Sequence, residues 1–211
     1  MNVLITAGPT REYIDDVRYL SNASTGRMGY ALAAAAMAAG HRTTLVHGPT
    51  PGDPPAVDEA VAVTSAGQML AAVTEHFGRC DVLIACAAVS DYRPKERRRG
   101  KMKREAAREM TLELVQNPDI VAEAAAGRRP GQVVIGFALE SSDALANARG
   151  KMVRKGLDAI VLNSPAAIGA AETEITILRA DVEAAEMFRG SKEEAAARIV
   201  ALAEALAAER S

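Results

Sequence analysis

The sequence predicts a Rossmann-like α/β fold: a doubly wound, mostly parallel sheet flanked by helices, with long loops where an active site is expected. Three observations carry that expectation. Short β-rich runs alternate with longer helical patterns along the chain. Several runs, Asp81-Val82-Leu83-Ile84-Ala85 among them, are nearly continuously apolar, as strands buried on both faces are. Two connections, Ala7 to Thr25 and Ala87 to Met110, far exceed the roughly 2–6 residues usual after a strand.

Taken in order, Val3–Thr6 reads as the first strand and Gly26–Ala39 as the first helix. Thr43–His47 is the next strand, and the Pro-rich Gly48–Pro55 reads as a rigid turn between layers. Val61–Val63, Asp81–Cys86, Val133–Phe137, Ala159–Leu162 and Ile175–Leu178 complete the strands. The remaining helices are Ala66–Phe77, Pro118–Ala126, Ser142–Lys155 and Ser191–Glu209. Asn117 is placed as an N-cap with Pro118 in the first turn. The Ala/Glu/Arg-rich last helix reads as a solvated cover for the sheet. No repeat and no linker divides residues 1–211, which are expected to form a single domain.

Apolar residues make up 49% of the 211, but aromatics only 3%, so Ala, Val, Leu and Ile must build the core. A net charge of −2 gives no general attraction to nucleic acid or anionic membrane, and neither is expected as a partner. Any bound anion must be held by a local cluster of donors. Cys80 and Cys86 have no second pair to complete a zinc set and are expected to pack; no metal site is expected. His41, His47 and His76 lie on separate elements and are assigned no chemistry. No signal sequence precedes the first strand, and no apolar run reaches the ~20 residues that span a bilayer, so a cytoplasmic location is expected.

In open α/β sheets, ligands sit beyond the carboxyl ends of the strands, so the long loops are where chemistry is sought. The dinucleotide fingerprint G-x-G-x-x-G is missing after the first strand, where Ala7-Gly8-Pro9-Thr10 stands. Gly8 lets backbone approach a phosphate and Thr10 offers a hydroxyl; a tight turn alone is the plainer use of Gly8. None of Tyr13, Tyr19, Tyr30 and Tyr92 is followed four residues later by Lys, which removes the main support for an NAD-dependent oxidoreductase. Ser21-Asn22-Ala23-Ser24-Thr25-Gly26 packs hydroxyls and an amide before a helix start. That is more than one N-cap needs, and it adjoins the unpaired N–H groups that make helix termini anion sites. Lys151 and Lys155, four residues apart on one helix face, repel each other in a way a polyanion would relieve.

The blocks Ile5–Glu12, Ile14–Arg18 and Ser21–Gly29 closely resemble the start of phosphopantothenoylcysteine synthetases (phosphopantothenate–cysteine ligases). The likeness continues through Ala87–Pro94, Lys101–Lys103, Leu114–Ile120 and Gly136–Glu140, and ends with Lys151 and Lys155. The order and spacing match over about three quarters of the chain. A departure follows Val161-Leu162-Asn163, where Ser164–Gly169 replaces the family's usual Asp and later Gly-Phe-x-Ser-Asp.

The resemblance implies ligation of 4′-phosphopantothenate to L-cysteine through an acyl-nucleotidylate, a step of coenzyme A biosynthesis. CTP is implied as co-substrate with ATP as the alternative, together with Mg2+ and a homodimer. It also implies a free-standing bacterial form resembling the synthetase domain of the bifunctional coenzyme A protein, with a separate flavin-dependent decarboxylase as a further candidate partner. By matching position, Asn22 and Lys101 are implied as catalytic. Gly8, Thr10, Ala85, Cys86, Ala87, Asp91, Asn117, Pro118, Asp119, Ile120, Phe137, Lys151 and Lys155, with Lys101, are implied at the nucleotide. Asp91 either accepts from an exocyclic amine or holds its loop. Arg18, Asn22, Ser24, Thr25, Gly26 and Met28 are implied at the acyl substrate. Such chemistry builds negative charge in both steps, so fixed cations and donors matter more than a covalent nucleophile. A non-catalytic nucleotide-binding module of the same fold is the competing expectation.

Overall fold

The computed structural model describes residues 1–103, 109–139, 143–163 and 172–210. An eight-stranded sheet runs β12-β11-β10-β9-β6-β1-β4-β5. Its members are β1 (Asn2–Ala7), β4 (Arg42–His47), β5 (Glu59–Ala62), β6 (Val82–Ala85), β9 (Val133–Leu139), β10 (Ala159–Asn163), β11 (Glu172–Arg179) and β12 (Glu186–Ser191). From β5 across to β10 every pairing is parallel, while β11 and β12 are added antiparallel. The chain starts in the middle, winds outward through β4 and β5, and then returns to β6 on the other side of β1. The order therefore reverses between β1 and β6, the place where a crevice opens in such sheets.

The apolar strands sort their side chains by period two. Val3 and Ile5 join Leu32 of α1 (Arg27–Ala38) and Ile199 of α5 (Lys192–Ala208) in one core cluster. Leu4 faces the other way, toward Met69 of α2 (Ala66–Phe77), Ile120 of α3 (Ile120–Ala126) and Met152 of α4 (Ala144–Lys155). Both faces of the sheet are thus covered, as the continuous apolar runs require. Capping boxes start α2 (Ser65 with Gln68) and α5 (Ser191 with Glu194).

The sequence pattern did not reveal β12, and two further sequence expectations need correction. Asn117 does not cap α3; Asp119 does, its carboxylate accepting from the Ala122 N–H at 3.1 Å. The expected hydroxyl cap of α1 is also absent, for Gly26 stands at that position with φ 73° and no side-chain cap bond. Ser142 and the Ser164–Gly169 loop lie outside the described residues.

The long connections contain short antiparallel pairs that the sequence pattern did not reveal. β2 (Arg11–Tyr13) pairs with β3 (Tyr19–Ser21), and β7 (Tyr92–Pro94) with β8 (Leu114–Gln116). Three residues are too few for a period-two signal to stand out.

Gly48–Pro55 acts as a buttress as well as a turn. The Gly48 N–H donates to the Ala7 carbonyl at 2.9 Å, and the Thr50 hydroxyl meets the Tyr30 hydroxyl at 2.6 Å. A Cβ on Gly48 would sit 1.8 Å from the Pro9 carbonyl oxygen, so only glycine lets the β1 and β4 loops meet. Gly48→Ala is expected to lower unfolding free energy by about 3 kcal/mol in urea titrations. Gly67→Ala, whose Cβ would find its nearest neighbour at 3.9 Å, should change it by less than about 1 kcal/mol.

Candidate active site

The β1–β6 pairing continues beyond the strands and joins their loops. Pro9 bridges Ala88 in parallel, and the Ala88 N–H donates to the Gly8 carbonyl at 2.9 Å. The Thr6 hydroxyl accepts from the Ala87 N–H at 3.2 Å, and the Thr10 hydroxyl from the Ser90 N–H at 3.0 Å. Asn22 Nδ2 donates to the Val89 carbonyl at 2.9 Å and leans toward that of Ala88 at 3.4 Å. Asn117 ties in the segment before α3: its Nδ2 donates to the Ser90 carbonyl and its backbone N–H to that of Asp91, both at 2.8 Å. These bonds fix the floor of the crevice at the switch point.

Two cavities flank this seam. Ser24, Thr25, Gly26 and Met28 of the α1 entry line the first, facing Cys86, Ala87 and Phe137. The second gathers Ala85, Ala87, Asp91, Asn117, Pro118, Asp119, Ile120, Phe137, Lys151 and Lys155. The residues expected at the acyl substrate and those expected at the nucleotide therefore separate largely into two compartments. Ala87 and Phe137 line both, so the two share a wall.

The first cavity lies at the N-terminus of α1. Gly26 makes no side-chain cap bond at the start of α1, and helix N-termini attract negative charge. Ser24 Oγ accepts from the Gly26 N–H at 3.3 Å and shapes the entry. Arg27 and Lys192 add two cations to the lining. Lys192 is buried, and burial followed by the nearby Arg27 charge pulls its ammonium pKa below the ordinary value. Asn163 also lines this cavity, and the sequence pattern assigned no site role to Lys192, Arg27 or Asn163. Lys192 starts the last helix, far along the chain, and nothing local distinguished it from a solvated lysine.

In the second cavity the expected lysine pair has a different balance. Lys155 Nζ bonds Asp119 at 2.7 Å, and Lys151 Nζ donates to the Phe137 carbonyl at 3.3 Å. Burial pushes the Asp119 carboxyl up, but the Lys155 and Ala122 hydrogen bonds outweigh it and hold the carboxyl below its usual range. The partner of Lys155 thus comes from the α3 N-cap and not from its own helix.

Gly8, Thr10, Arg18, Asn22 and Lys101 line neither cavity. Thr10 is fully buried with its hydroxyl committed to Ser90, and Gly8, at φ 74°, forms the turn beneath Ala88. Asn22 precedes Ala23 at the edge of the first cavity and holds the Ala88–Val89 backbone. Arg18 bonds Asp15 at 2.8 Å and reaches the Met102 carbonyl at 3.3 Å, beside the exposed Lys101.

Burial pushes the Cys86 thiol to about 12 and the Cys80 thiol to about 11, which favours the protonated form near neutrality. His41, His47 and His76 line neither cavity. Among the described residues, no three His, Cys, Asp or Glu side chains group as metal ligands, and no helix is long and apolar enough to cross a membrane.

Comparison with known proteins places this geometry in context. A family profile described as the DNA/pantothenate metabolism flavoprotein C-terminal domain matches residues 1–206. A Coenzyme A biosynthesis bifunctional protein CoaBC of Vibrio parahaemolyticus is 46% identical over 163 residues, 77% of this chain and 41% of that protein. The Mycobacterium bovis protein of the same name is 40% identical over 212 aligned positions, covering 94% of this chain and 50% of the relative. The chain therefore spans about two fifths to one half of these curated relatives. A crystal structure of the C-terminal domain of CoaBC superposes with a TM-score of 0.83 at 36% identity, over 99% of this chain and 96% of that one.

The Asp15 carboxylate is buried within the first long loop. Burial would raise its pKa, but N–H donors from Arg18, Val17 and Met102, with the Arg18 charge, lower it from 3.8 to about 2. A depressed folded-state pKa stabilises the fold above the unfolded value, and that contribution is lost as pH falls through the folded one. Hydrogen exchange should therefore find the Arg18 and Met102 amides protected at pH 4 and losing protection as pH falls toward 2. Protection lost already between pH 6 and 4 would contradict an ionised, hydrogen-bonded Asp15.

Proposed function

Because the chain belongs to the DNA/pantothenate metabolism flavoprotein C-terminal domain family, we propose that it is a phosphopantothenoylcysteine synthetase, joining 4′-phosphopantothenate to L-cysteine at the expense of CTP. The observation that carries this reading is that Ala87 and Phe137 line both a cavity bearing Arg27 and Lys192 and a cavity bearing Lys151 and Lys155. Two substrates whose reacting ends both reach Ala87 and Phe137, the residues the cavities share, are held side by side, which is the main requirement for a transfer between them.

In this reading the phosphate of 4′-phosphopantothenate lies at the α1 entry, against Ser24, Thr25, Gly26 and Met28, with Arg27 and Lys192 near it. Its carboxylate points to Ala87. The nucleotide lies in the second cavity, with its base at the backbone of Ala85–Ala87 and Phe137 and its phosphates toward Lys151 and Lys155. A carboxylate oxygen attacks the α-phosphorus and pyrophosphate leaves. The cysteine amine then attacks the acyl carbon, loses a proton, and the C–O bond to the nucleoside monophosphate breaks. Cations at both ends offset the charge that each step develops.

Lys101 is assigned to the triphosphate and then to the acyl centre. Asn22 is assigned to the acyl-nucleotidylate: its Nδ2 faces the Ala88 and Val89 carbonyls, next to Ala87, which both cavities share. Mg2+ accompanies the triphosphate; such ions are held mainly by phosphate oxygens and waters with one or two carboxylates, and no step is assigned to it. A second copy of the chain is the partner proposed for the exposed Val17, Tyr19, Tyr92 and Leu114, apolar residues on or beside the two short sheets outside the main one.

Purified protein supplied with 4′-phosphopantothenate, cysteine, Mg2+ and either CTP or ATP should release pyrophosphate and form ligated product, faster with CTP. A preference for ATP would keep the reaction and change the base assignment. Silence with both would leave a non-catalytic nucleotide-binding module. Asn22→Asp is expected to bind nucleotide normally while product formation falls about 10²–10³-fold; undiminished turnover would remove Asn22 from the chemistry.

A further inference from the structure

The turn between β2 and β3 carries two adjacent carboxylates that grip the segment bearing Lys101. Asp15 is fully buried and accepts from the Val17 and Arg18 N–H groups at 2.7 Å each, from Arg18 Nη1 at 2.8 Å, and from the Met102 N–H at 3.1 Å. Asp16 accepts from the Gly100 N–H at 2.7 Å and from Arg97 Nη2 at 3.0 Å. The Arg98 N–H adds a bond to the Ile14 carbonyl at 2.9 Å, and the Arg97 guanidinium lies 5.0 Å from the centre of the Tyr13 ring.

The arrangement has a direction. The segment Arg97–Lys103 carries Arg97, Arg98, Arg99, Lys101 and Lys103, and such a run repels itself and extends into solvent when nothing holds it. Here it is held by backbone N–H groups, at Gly100 and Met102, on both sides of Lys101. Backbone capture fixes where the chain passes while leaving the Lys101 side chain exposed, its ammonium available to a ligand. The Gly100 and Arg97 hydrogen bonds depress the Asp16 pKa, so both carboxylates are charged at neutral pH.

We propose that Asp15 and Asp16 are positioning residues: a two-carboxylate latch that holds the backbone on both sides of Lys101 and so sets where its ammonium is delivered. Resting on the ligase reading given above, the latch touches no substrate and acts only through Lys101. Asp15 anchors from inside the turn. Asp16, whose side chain is half exposed, forms the part that can be removed without opening the core.

The test compares Asp16→Ala and Asp16→Asn in the full chain, alone and combined with Lys101→Ala. Limited trypsin digestion, read by mass spectrometry at Arg97–Lys103, should run about tenfold faster in Asp16→Ala, with Asp16→Asn between it and the parent because its amide oxygen can still accept from Gly100. Ligase kcat should fall about tenfold in Asp16→Ala, and that loss should vanish in the Lys101→Ala background, since residues acting through one group are not additive. Unchanged cleavage overturns the latch. Faster cleavage with losses that multiply in the double variant overturns the positioning role. If the parent protein releases no pyrophosphate with any nucleotide, the ligase reading fails, and the digestion alone decides whether the latch exists.

Discussion

The hydrogen-bonded seam between the loops of β1 and β6 is the constraint on which the site depends. It consists of the Ala88 N–H on the Gly8 carbonyl, the Ser90 N–H on the Thr10 hydroxyl, and the Asn22 amide on the Val89 carbonyl. Loops that leave parallel strands have no obligation to stay together once the ladder ends. Here the pairing runs on past the last strand residues, and Asn117 stitches the α3 entry to the same backbone. Buried amides left without these partners would each cost about 1–3 kcal/mol, which makes the seam hard to open piecemeal. The crevice at the switch point is therefore a fixed surface with a cavity on either side.

Packing supplies what the seam cannot. Gly29 lets α1 approach β1 so closely that an added Cβ would lie 2.4 Å from the Ala7 Cβ, and Gly48 lets the β4 loop press on Pro9. Close approach of α1 aims its N-terminus at the first cavity, so a packing requirement also sets the electrostatics there. The cations come from farther away: Arg27 from α1, Lys151 and Lys155 from α4, and Lys192 from α5. With a net charge of only −2 on the whole chain, any concentration of positive charge has to be local, and elements distant in sequence converge to provide it.

Much of this was legible in the residues. The central strands were, because burial on both faces writes a continuous apolar run, and Ala66–Phe77 matched its helix because a capping box and an amphipathic stripe agree there. The second cavity was largely legible through its motifs: Ala85, Asn117–Ile120, Phe137 and the lysine pair stand in recognisable blocks and do gather. The functions of Asn117 and Thr10 as ties were not, because a hydroxyl or amide looks the same to a sequence reader whether it caps a helix, meets a ligand or holds another loop. Lys192 and Asn163 escaped notice because only folding brings them to residues far from them in the chain. The contacts of Asp15 and Asp16 with Arg97, Gly100 and Met102 were hidden for a related reason: those partners lie more than eighty residues away along the chain.

The central claim is that the wall formed by Ala87 and Phe137 is where the two substrates react. A crystal structure of the protein incubated with 4′-phosphopantothenate, CTP and Mg2+, with cysteine withheld, tests it most directly. The account predicts one acyl-nucleotidylate spanning both cavities, its phosphate at the α1 entry, its nucleotide beside Lys151 and Lys155, and its anhydride at Ala87 and Phe137. Both ligands in one cavity, or a nucleotide seated at the α1 entry, would contradict it.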